Sequence, residues 1–444
     1  MNSPRNSLRE QDMALTQRID QDIADGLRDL LSDPAYAADS KWHLAQRRRA
    51  LARFESLGLP HKQEDWKYTR VATLLPDGVV PARTSEMVVP HSIPKIDGLV
   101  VTLENGRLVS TPEHLPKGMT VCSLSEALKR FPEIVEKYLD RLASQDDAFA
   151  AINMASTDEA LFVRVAKGVS VSPALHILNL FGSDQPAMLH SRQLIVVEQE
   201  ATLTVVEHDE HSGSARSFTN ATVEVAVGRG GRLNHYRLQR KPGADHVDST
   251  AVRMDAGATY KSFVVSTGDR VIRNNLDVVA AGPGCDTHLF GLFFAEGKAQ
   301  IDNHTLIDHA EPDCTSRELY KGILAGDAIG TFRGMLLVRK DAQRTSAFQS
   351  TRNLLLSETA SVNALPQLEI YADDVKCSHG ATTGLLEPDA LFYLRARGIP
   401  ERRARRMLVE AFMAEITDEI EESVARGVVT DVLTKFLQSV RETA

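Results

Sequence analysis

The segment DDVKCSHGAT, residues 373–382, places a thiol and an imidazole two positions apart, at Cys377 and His379. In an extended strand, residues i and i+2 project from the same face, roughly 6–7 Å apart along the backbone. Thiolate and imidazole both bind iron and zinc, so this spacing fits half of a metal site. Two ligands do not complete a tetrahedral site, and the others would have to come from elsewhere in the chain or from a partner.

Two other interpretations of this pair stay open at this point. The Cys377 thiol can be a small buried hydrophobic group that lies beside a hydrogen-bonded His379. The pair can also be a cysteine-protease nucleophile and base, although no nearby residue marks an oxyanion hole or orients the base. The spacing alone does not decide between these chemistries.

The other histidines and cysteines have spacings that favour structural roles. His304, His309 and Cys314 are close in sequence, but their spacing matches no metal-binding motif, and we expect hydrogen bonds between coils there. His208 and His211 would form a metal pair only on a helix. The strand pattern before them and the Ser-Gly after them predict a solvated turn instead.

The glycine-rich segments do not predict a nucleotide site. GLFFAEGKA, residues 291–299, has five residues between its glycines where a phosphate loop has four. In the same segment, Ala299 stands where a Ser or Thr would bind magnesium. GRGG, residues 228–231, lacks the following helix of a dinucleotide-binding turn. We therefore expect that the chain has no ATP site of its own.

The elements that must position Cys377 and His379 are mostly strands. Residues 161–370 alternate apolar and polar side chains in stretches rich in Val, Leu, Thr and Phe. A turn with small residues recurs at positions 200, 230, 257 and 284, so the step is 30, 27 and 27 residues. This step predicts the stacked coils of a β-solenoid, with further corners near 326 and 358. An immunoglobulin-like sandwich is disfavoured because tight hairpin turns do not recur every 8–12 residues or so.

Helical patterns flank the strands on both sides. The predicted fold is therefore mainly β, with an N-terminal mostly helical domain at 1–155, a β-helix core at 156–386 and a C-terminal helical domain at 387–444. We expect the helices to cover the ends of the solenoid, where strand edges would otherwise be unpaired. In the C-terminal helices, Phe412 and Phe436 predict either packing within the domain or a docking face for another protein.

A basic run, RRARR, lies at residues 402–406 of the C-terminal helices. An acidic partner could bind it, but such a run is more often a solvated helix face. On that interpretation it pairs with Glu401 and Glu410, which lie one helical turn away from arginines of the run.

Composition and charge narrow the function classes. The 444 residues carry 51 basic and 60 acidic side chains and a net charge of −9, which disfavours a general nucleic-acid-binding surface. The sequence has no signal-peptide pattern and no apolar run long enough to span a membrane. Its four cysteines are far apart, which predicts free thiols and a cytoplasmic location. The strands show no repeated acidic motif, which argues against a polysaccharide-cleaving β-helix enzyme.

Three segments of the second half carry a specific pattern: HTLIDHAEPDCTSRELYKGIL, QRTSAFQSTRNLLLSETASVNALPQLEIYADDVKCSHGATTG and LFYLRARGI. They resemble the SufB/SufD family of iron–sulfur cluster assembly proteins, over most of residues 160–444. EDWKYT at Glu64–Thr69 is similar to the SufD branch of that family. CSHGAT at Cys377–Thr382 is also similar to the SufD branch, because the SufB branch has a HEAT-like segment without this cysteine. The chain also lacks the cysteine-rich N-terminal motif of many SufB proteins.

The resemblance implies a right-handed parallel β-helix between two helical domains, in a scaffold protein that is not an enzyme. SufB would bind at the β-helix end, and the ATPase SufC would bind the C-terminal helices. Sulfur would come from a cysteine desulfurase of the SufS–SufE type. The isolated chain can then also be a homodimer through the SufB face. Whether reduced flavin binds this chain or its partner stays open.

The resemblance also places Cys377 and His379 at the SufB–SufD interface. There they would hold iron or a transient iron–sulfur cluster that is shared with SufB. His379 is the stronger ligand candidate, and SufB would supply the main thiolate. A site that is divided between two chains explains why one chain shows too few ligands.

Overall fold

Two long β-sheets form the centre of the molecule in the computed structural model of the chain. From β4 and β5 onward, each strand pairs in parallel with the strand two positions later in the chain, so two consecutive strands make one coil. This arrangement confirms the β-solenoid and excludes the sandwich. The structure describes residues 4–33, 40–61, 63–69, 71–75, 79, 81, 96, 98–157, 159–212 and 215–439.

Sheet 1 has the strand order β19-β17-β15-β13-β11-β9-β7-β5-β1-β2, and sheet 2 has the order β18-β16-β14-β12-β10-β8-β6-β4-β3. The strands are β1 (Leu99–Glu104), β2 (Arg107–Ser110), β3 (Met119–Ser123), β4 (Leu161–Val165), β5 (Leu175–Gly182), β6 (Ala187–Val197), β7 (Thr202–Ser212), β8 (Ser217–Val227), β9 (Arg232–Lys241), β10 (Ala244–Met254), β11 (Thr259–Gly268), β12 (Val271–Ala280), β13 (Asp286–Ala295), β14 (Gln300–His309), β15 (Thr315–Leu324), β16 (Ile329–Val338), β17 (Thr345–Leu355), β18 (Ser361–Ile370) and β19 (Val375–Leu385).

The helices lie before, between and after these strands. They are α1 (Pro4–Ser32), α2 (Lys41–Leu57), α3 (Val71–Leu74), α4 (Leu124–Arg130), α5 (Pro132–Tyr138), α6 (Ala148–Ser156), α7 (Pro388–Ala396), α8 (Glu401–Thr417) and α9 (Ser423–Ser439). None of the helices in the described part of the chain is long and apolar enough to cross a membrane. The strands β1–β3 belong to the two sheets although they lie within residues 1–155. The bounds of the three predicted domains stay predictions.

The corners of the coils repeat as the sequence step predicted. Glu200, Gly230, Gly257 and Gly284 occupy equivalent corners between a sheet 2 strand and the next sheet 1 strand, and all have positive φ, between 56° and 73°. Positive φ is the conformation in which glycine has no steric penalty, which explains three glycines in this column. The predicted corner near residue 326 is also present, but Gly326 belongs to a second column on the opposite side of each coil.

The helices flank the solenoid along its sheets. The N-terminal helices pack on the outer face of sheet 2, where Trp66 stacks on Phe149 with ring centroids 5.1 Å apart. The C-terminal helices pack on the outer face of sheet 1, where Phe436 lies 5.3 Å from Phe294. Phe436 is thus buried against the sheet, whereas Phe412 is half-buried.

The prediction that helices cover both ends of the solenoid is wrong for the C-terminal end. The last coil, formed by β18 and β19, is mostly exposed over its length in the part of the chain that the structure describes. The reason is that the C-terminal helices bury their apolar faces on the side of sheet 1, with Val409, Met413 and Ile416 inward. The open end of the solenoid is therefore available to another molecule.

Candidate functional site

Cys377 and His379 lie on β19, the outermost strand of sheet 1 at the open end. The segment is extended, as the spacing argument assumed. Within the described residues β19 pairs only with β17, so the opposite edge of β19 has free backbone N–H and C=O groups. In the register of this pair, Cys377 lies beside Ala347 and His379 lies beside Gln349.

The two side chains face the interior of the solenoid. Cys377 is partly buried and packs against the lumen cluster that contains Ala342 and Ala372. His379 must project to the same side because residues two apart on a strand share a face, and it is exposed because no coil follows. Burial raises the pKa of the Cys377 thiol, which is only partly offset by a hydrogen bond with the backbone of Ala347. The free chain therefore holds this cysteine as a thiol at neutral pH.

The pair is not a complete metal site by itself. In the residues that the structure describes, no three His, Cys, Asp or Glu side chains are grouped so that they could hold a metal ion. Cys377 and His379 offer one sulfur and one nitrogen ligand, which leaves a bound iron ion with open positions. Their metal-binding role stays a prediction.

A polar ladder lies beneath His379 in the two preceding coils. Gln349 on β17 and Glu318 on β15 occupy the same row, and both are buried. The Nε2 of Gln349 donates a hydrogen bond to the Oε2 of Glu318 at 2.6 Å. Burial raises the pKa of Glu318 to about 7. No local pattern in the sequence marks either residue, although each lies about one coil step, 30 or 31 residues, before the next member of the row.

Apolar side chains surround this end of the solenoid. Large hydrophobic residues are exposed on the last coil and its connections: Phe348, Ile370, Tyr371 and Leu385. Large apolar side chains exposed around a free strand edge favour a protein–protein contact. The free strand edge and this surface together favour a partner chain at the site.

His304 lies apart from His309 and Cys314, whereas the side chains of His309 and Cys314 meet. His304 is on the outer face of sheet 2, where its Nε2 lies 2.8 Å from Asp302. His309 and Cys314 face the lumen. His309 contacts Ser316 at 2.9 Å, and the Cys314 thiol donates to a carbonyl of the preceding coil at 3.5 Å. The predicted hydrogen bonding between coils is confirmed for Cys314.

The prediction of a solvated turn for His208 and His211 is wrong. Both are buried on β7, which continues to Ser212. His208 shares a hydrogen bond with His176 of the neighbouring coil at 3.2 Å. Burial lowers the pKa of His208 to about 3, so the ring is neutral. The alternating pattern predicted the strand itself correctly. The polar residues at its C-terminal end indicated a turn, although the strand continues through them.

The basic run of α8 behaves as a solvated face. Arg405 contacts Glu401 at 3.0 Å and Arg406 contacts Glu410 at 2.7 Å, each at a spacing of four residues. These are the pairs that helical spacing predicted. The arginines therefore need no acidic partner to explain them.

Comparisons with known proteins match nearly the whole chain. A family model described as "SUF system FeS cluster assembly, SufBD core domain" matches residues 180–412. A second, described as "SufBD protein N-terminal region", matches residues 35–177. The two matches together cover the strands of the solenoid, the candidate site and most of the N-terminal helices.

Individual relatives agree with the family models. An iron–sulfur cluster assembly SufBD family protein of Synechocystis is 30% identical over 93% of this chain and 96% of its own length. The iron–sulfur cluster assembly protein SufD of Escherichia coli is 29% identical over 87% of this chain and 91% of its own. A chloroplastic protein of Arabidopsis thaliana is 33% identical over 73% and 69%. These matches confirm the resemblance that the motifs indicated.

Proposed function

The chain belongs to the SufBD family, and on this premise we propose that it is a SufD-type scaffold subunit of a complex with SufB and the ATPase SufC. In that complex it takes part in iron acquisition and in forming the nascent iron–sulfur cluster, which is cargo of the site. One observation carries the proposal. Cys377 and His379 share a face of the edge strand β19, whose outer edge is free at the open end of the solenoid.

SufB is the proposed partner at this end. The exposed residues Phe348, Tyr371 and Leu385 would be buried by it, and its strands would pair with the free edge of β19. A second chain at this place can supply the missing ligands directly beside His379. The same face would form the homodimer of the isolated chain.

SufC is proposed to bind the C-terminal helices. α8 and α9 are held on sheet 1, but α7 has no buried residue, and its Phe392 and Tyr393 are 73% and 56% exposed. This aromatic surface is the part of the C-terminal domain that is available to a partner. Nucleotide hydrolysis by SufC would then move the helices and open the SufB contact to iron and sulfur.

The chemistry of the pair requires the loss of a proton. Iron binds a thiolate and a neutral imidazole, so binding at Cys377 releases the thiol proton. Because burial raises the pKa of this thiol, iron capture weakens as pH falls. The partner contact removes water and strengthens the bond between the cation and the thiolate.

The test is a single substitution in the assembled complex. We expect His379→Ala to abolish the iron and acid-labile sulfide that the complex with SufB and SufC retains under anaerobic conditions. Ser378→Ala is the matched control, because Ser378 lies on the opposite face of the same strand. Unchanged cluster content in an intact His379→Ala complex would contradict the proposal.

A purely architectural role is the second candidate, and one observation favours it. The described part of the chain offers only two adjacent metal-binding groups at this end. In that case the chain stabilises SufB and presents SufC without binding iron. A Cys377→Ser, His379→Ala double variant that still assembles and still accumulates clusters would support this role. The cytoplasmic location and the place of any flavin stay predictions.

A further inference from the structure

The row that ends at His379 contains a buried hydrogen-bond acceptor without a donor. The Oε1 of Gln349 is fully buried and has no hydrogen-bond partner in the described part of the chain. Its Nε2 is already used by Glu318 at 2.6 Å. Above its pKa of about 7, Glu318 is a carboxylate that can only accept, so this bond then fixes the amide with Oε1 as the free end. A buried carbonyl oxygen that lacks a donor costs free energy until a donor reaches it.

The amide of Gln349 has little freedom to move. It lies directly over Gly334 on the facing strand β16, where an added Cβ would overlap the amide nitrogen. Glycine at this position permits the close approach without a positive φ. The amide is therefore held between the backbone of one strand and the carboxylate of Glu318 in the preceding coil.

His379 is the donor that the register places next to this acceptor. β17 and β19 are parallel, and Gln349 and His379 are paired residues on them. Side chains of paired residues in adjacent parallel strands stack about 4.8 Å apart. His379 shares the lumen-facing side with Cys377, which packs inward. A ring N–H of His379 that turns toward the lumen thus meets the Oε1 of Gln349.

We propose that Gln349 is a positioning residue that accepts a ring N–H of His379, and so leaves the other ring nitrogen as the one available to iron. Metal-binding histidines usually donate their second nitrogen to a carbonyl or carboxylate, which fixes both the tautomer and the ring orientation. Glu318 orients the amide in turn. This inference rests on the proposed role of His379 in holding iron.

The tautomer of His379 tests the inference without iron. In the full chain labelled with ¹⁵N-histidine at about pH 8, the ring nitrogens of His379 are identified by their loss in His379→Ala. We expect one tautomer to dominate in the natural chain and both to be populated in Gln349→Leu. The double variant Glu318→Gln, Gln349→Glu exchanges the two groups, so it keeps the hydrogen bond between them and an acceptor toward His379, and it should restore the single tautomer. Gln239→Leu removes another buried lumen glutamine and should change nothing at His379.

Iron binding gives the second measurement. In the complex with SufB, Gln349→Leu should weaken the binding of Fe²⁺ by about 10- to 100-fold, and the exchange Glu318→Gln, Gln349→Glu should restore it. If Gln349→Leu fails to fold, Gln349→Asn, which withdraws the acceptor by one methylene, should show the same loss of tautomer preference. An unchanged tautomer ratio in a folded Gln349→Leu or Gln349→Asn chain overturns the inference. The tautomer ratio is measured without iron and does not depend on the cluster content of the His379→Ala complex. The inference about Gln349 and the proposed role of His379 can therefore fail separately.

Discussion

Acid should destabilise the solenoid through buried neutral histidines, and His190 provides the clearest case. His190 lies on β6, is 3% exposed, and neither ring nitrogen has a hydrogen-bond partner in the described part of the chain. Burial alone lowers the pKa of His190 from 6.5 to about 3. The folded chain therefore keeps this imidazole neutral under conditions in which the unfolded chain protonates it.

The sign and size of the effect follow from this difference. A folded-state pKa below the unfolded value means that stability is fully present above about pH 6.5 and is lost as pH falls toward 3. Each pH unit within that window costs about 1.4 kcal/mol. Lowering the pH from 7 to about 5 should therefore reduce the free energy of unfolding by about 2 kcal/mol through His190 alone.

The assay compares the natural chain with His190→Leu by urea unfolding at pH 7 and about pH 5. Trp66 fluorescence reports on the cluster that packs on sheet 2 beside β6. The variant should be close to the natural chain at pH 7, because no hydrogen bond is lost, and should lose about 2 kcal/mol less on acidification. His114→Leu removes an exposed histidine and should lose as much as the natural chain. An equal loss of stability on acidification in His190→Leu and the natural chain would show that His190 is not a source of the acid sensitivity.

Two further predictions concern the frame around the site. Gly291→Ala should destabilise the solenoid by about 1–3 kcal/mol, because the new Cβ would overlap the buried ring of Tyr320. Gly384→Ala, with open space around it, should leave the urea midpoint unchanged, and equal midpoints for both variants would contradict the packing argument. Lys321→Met should raise hydrogen exchange in α8, because this buried lysine contacts a carbonyl at 2.6 Å and a carboxylate at 2.9 Å of that helix. Lys435→Met, on an exposed face, should leave that exchange unchanged, and no rise in Lys321→Met would show that the contacts of Lys321 do not hold α8.

The fold could be predicted because each coil repeats its own constraints. The turns at 200, 230, 257 and 284 need a residue that accepts positive φ, and the strands between them need alternate apolar residues. Both requirements concern residues that are close in sequence, so the sequence pattern shows them. The location of the C-terminal helices could not be predicted in this way. The apolar face of α8 has the same sequence pattern whether it packs on an end or on a side of the solenoid.

The candidate site was predictable only in part, for a similar reason. Cys377 and His379 are two residues apart, so their common face follows from strand geometry. Gln349 and Glu318 belong to the same row through strand pairing, and no local pattern marks them. His208 shows the opposite error, because a buried polar residue within a strand resembles a polar residue in a turn. Only the pairing register of the strands distinguishes a buried polar residue in a strand from a polar residue in a turn.

The open last coil places a free strand edge, which could bind a partner, on the same strand as the two candidate metal ligands. A solenoid normally hides its final strand edge, because unpaired N–H and C=O groups invite other chains. Here β19 keeps that edge free, and the same strand carries Cys377 and His379 with Gln349 beneath them. A partner that pairs with the edge must at the same time exclude water and bring its own ligands to these groups. We therefore expect iron to be retained only where the two chains meet, so that the scaffold alone does not hold the metal.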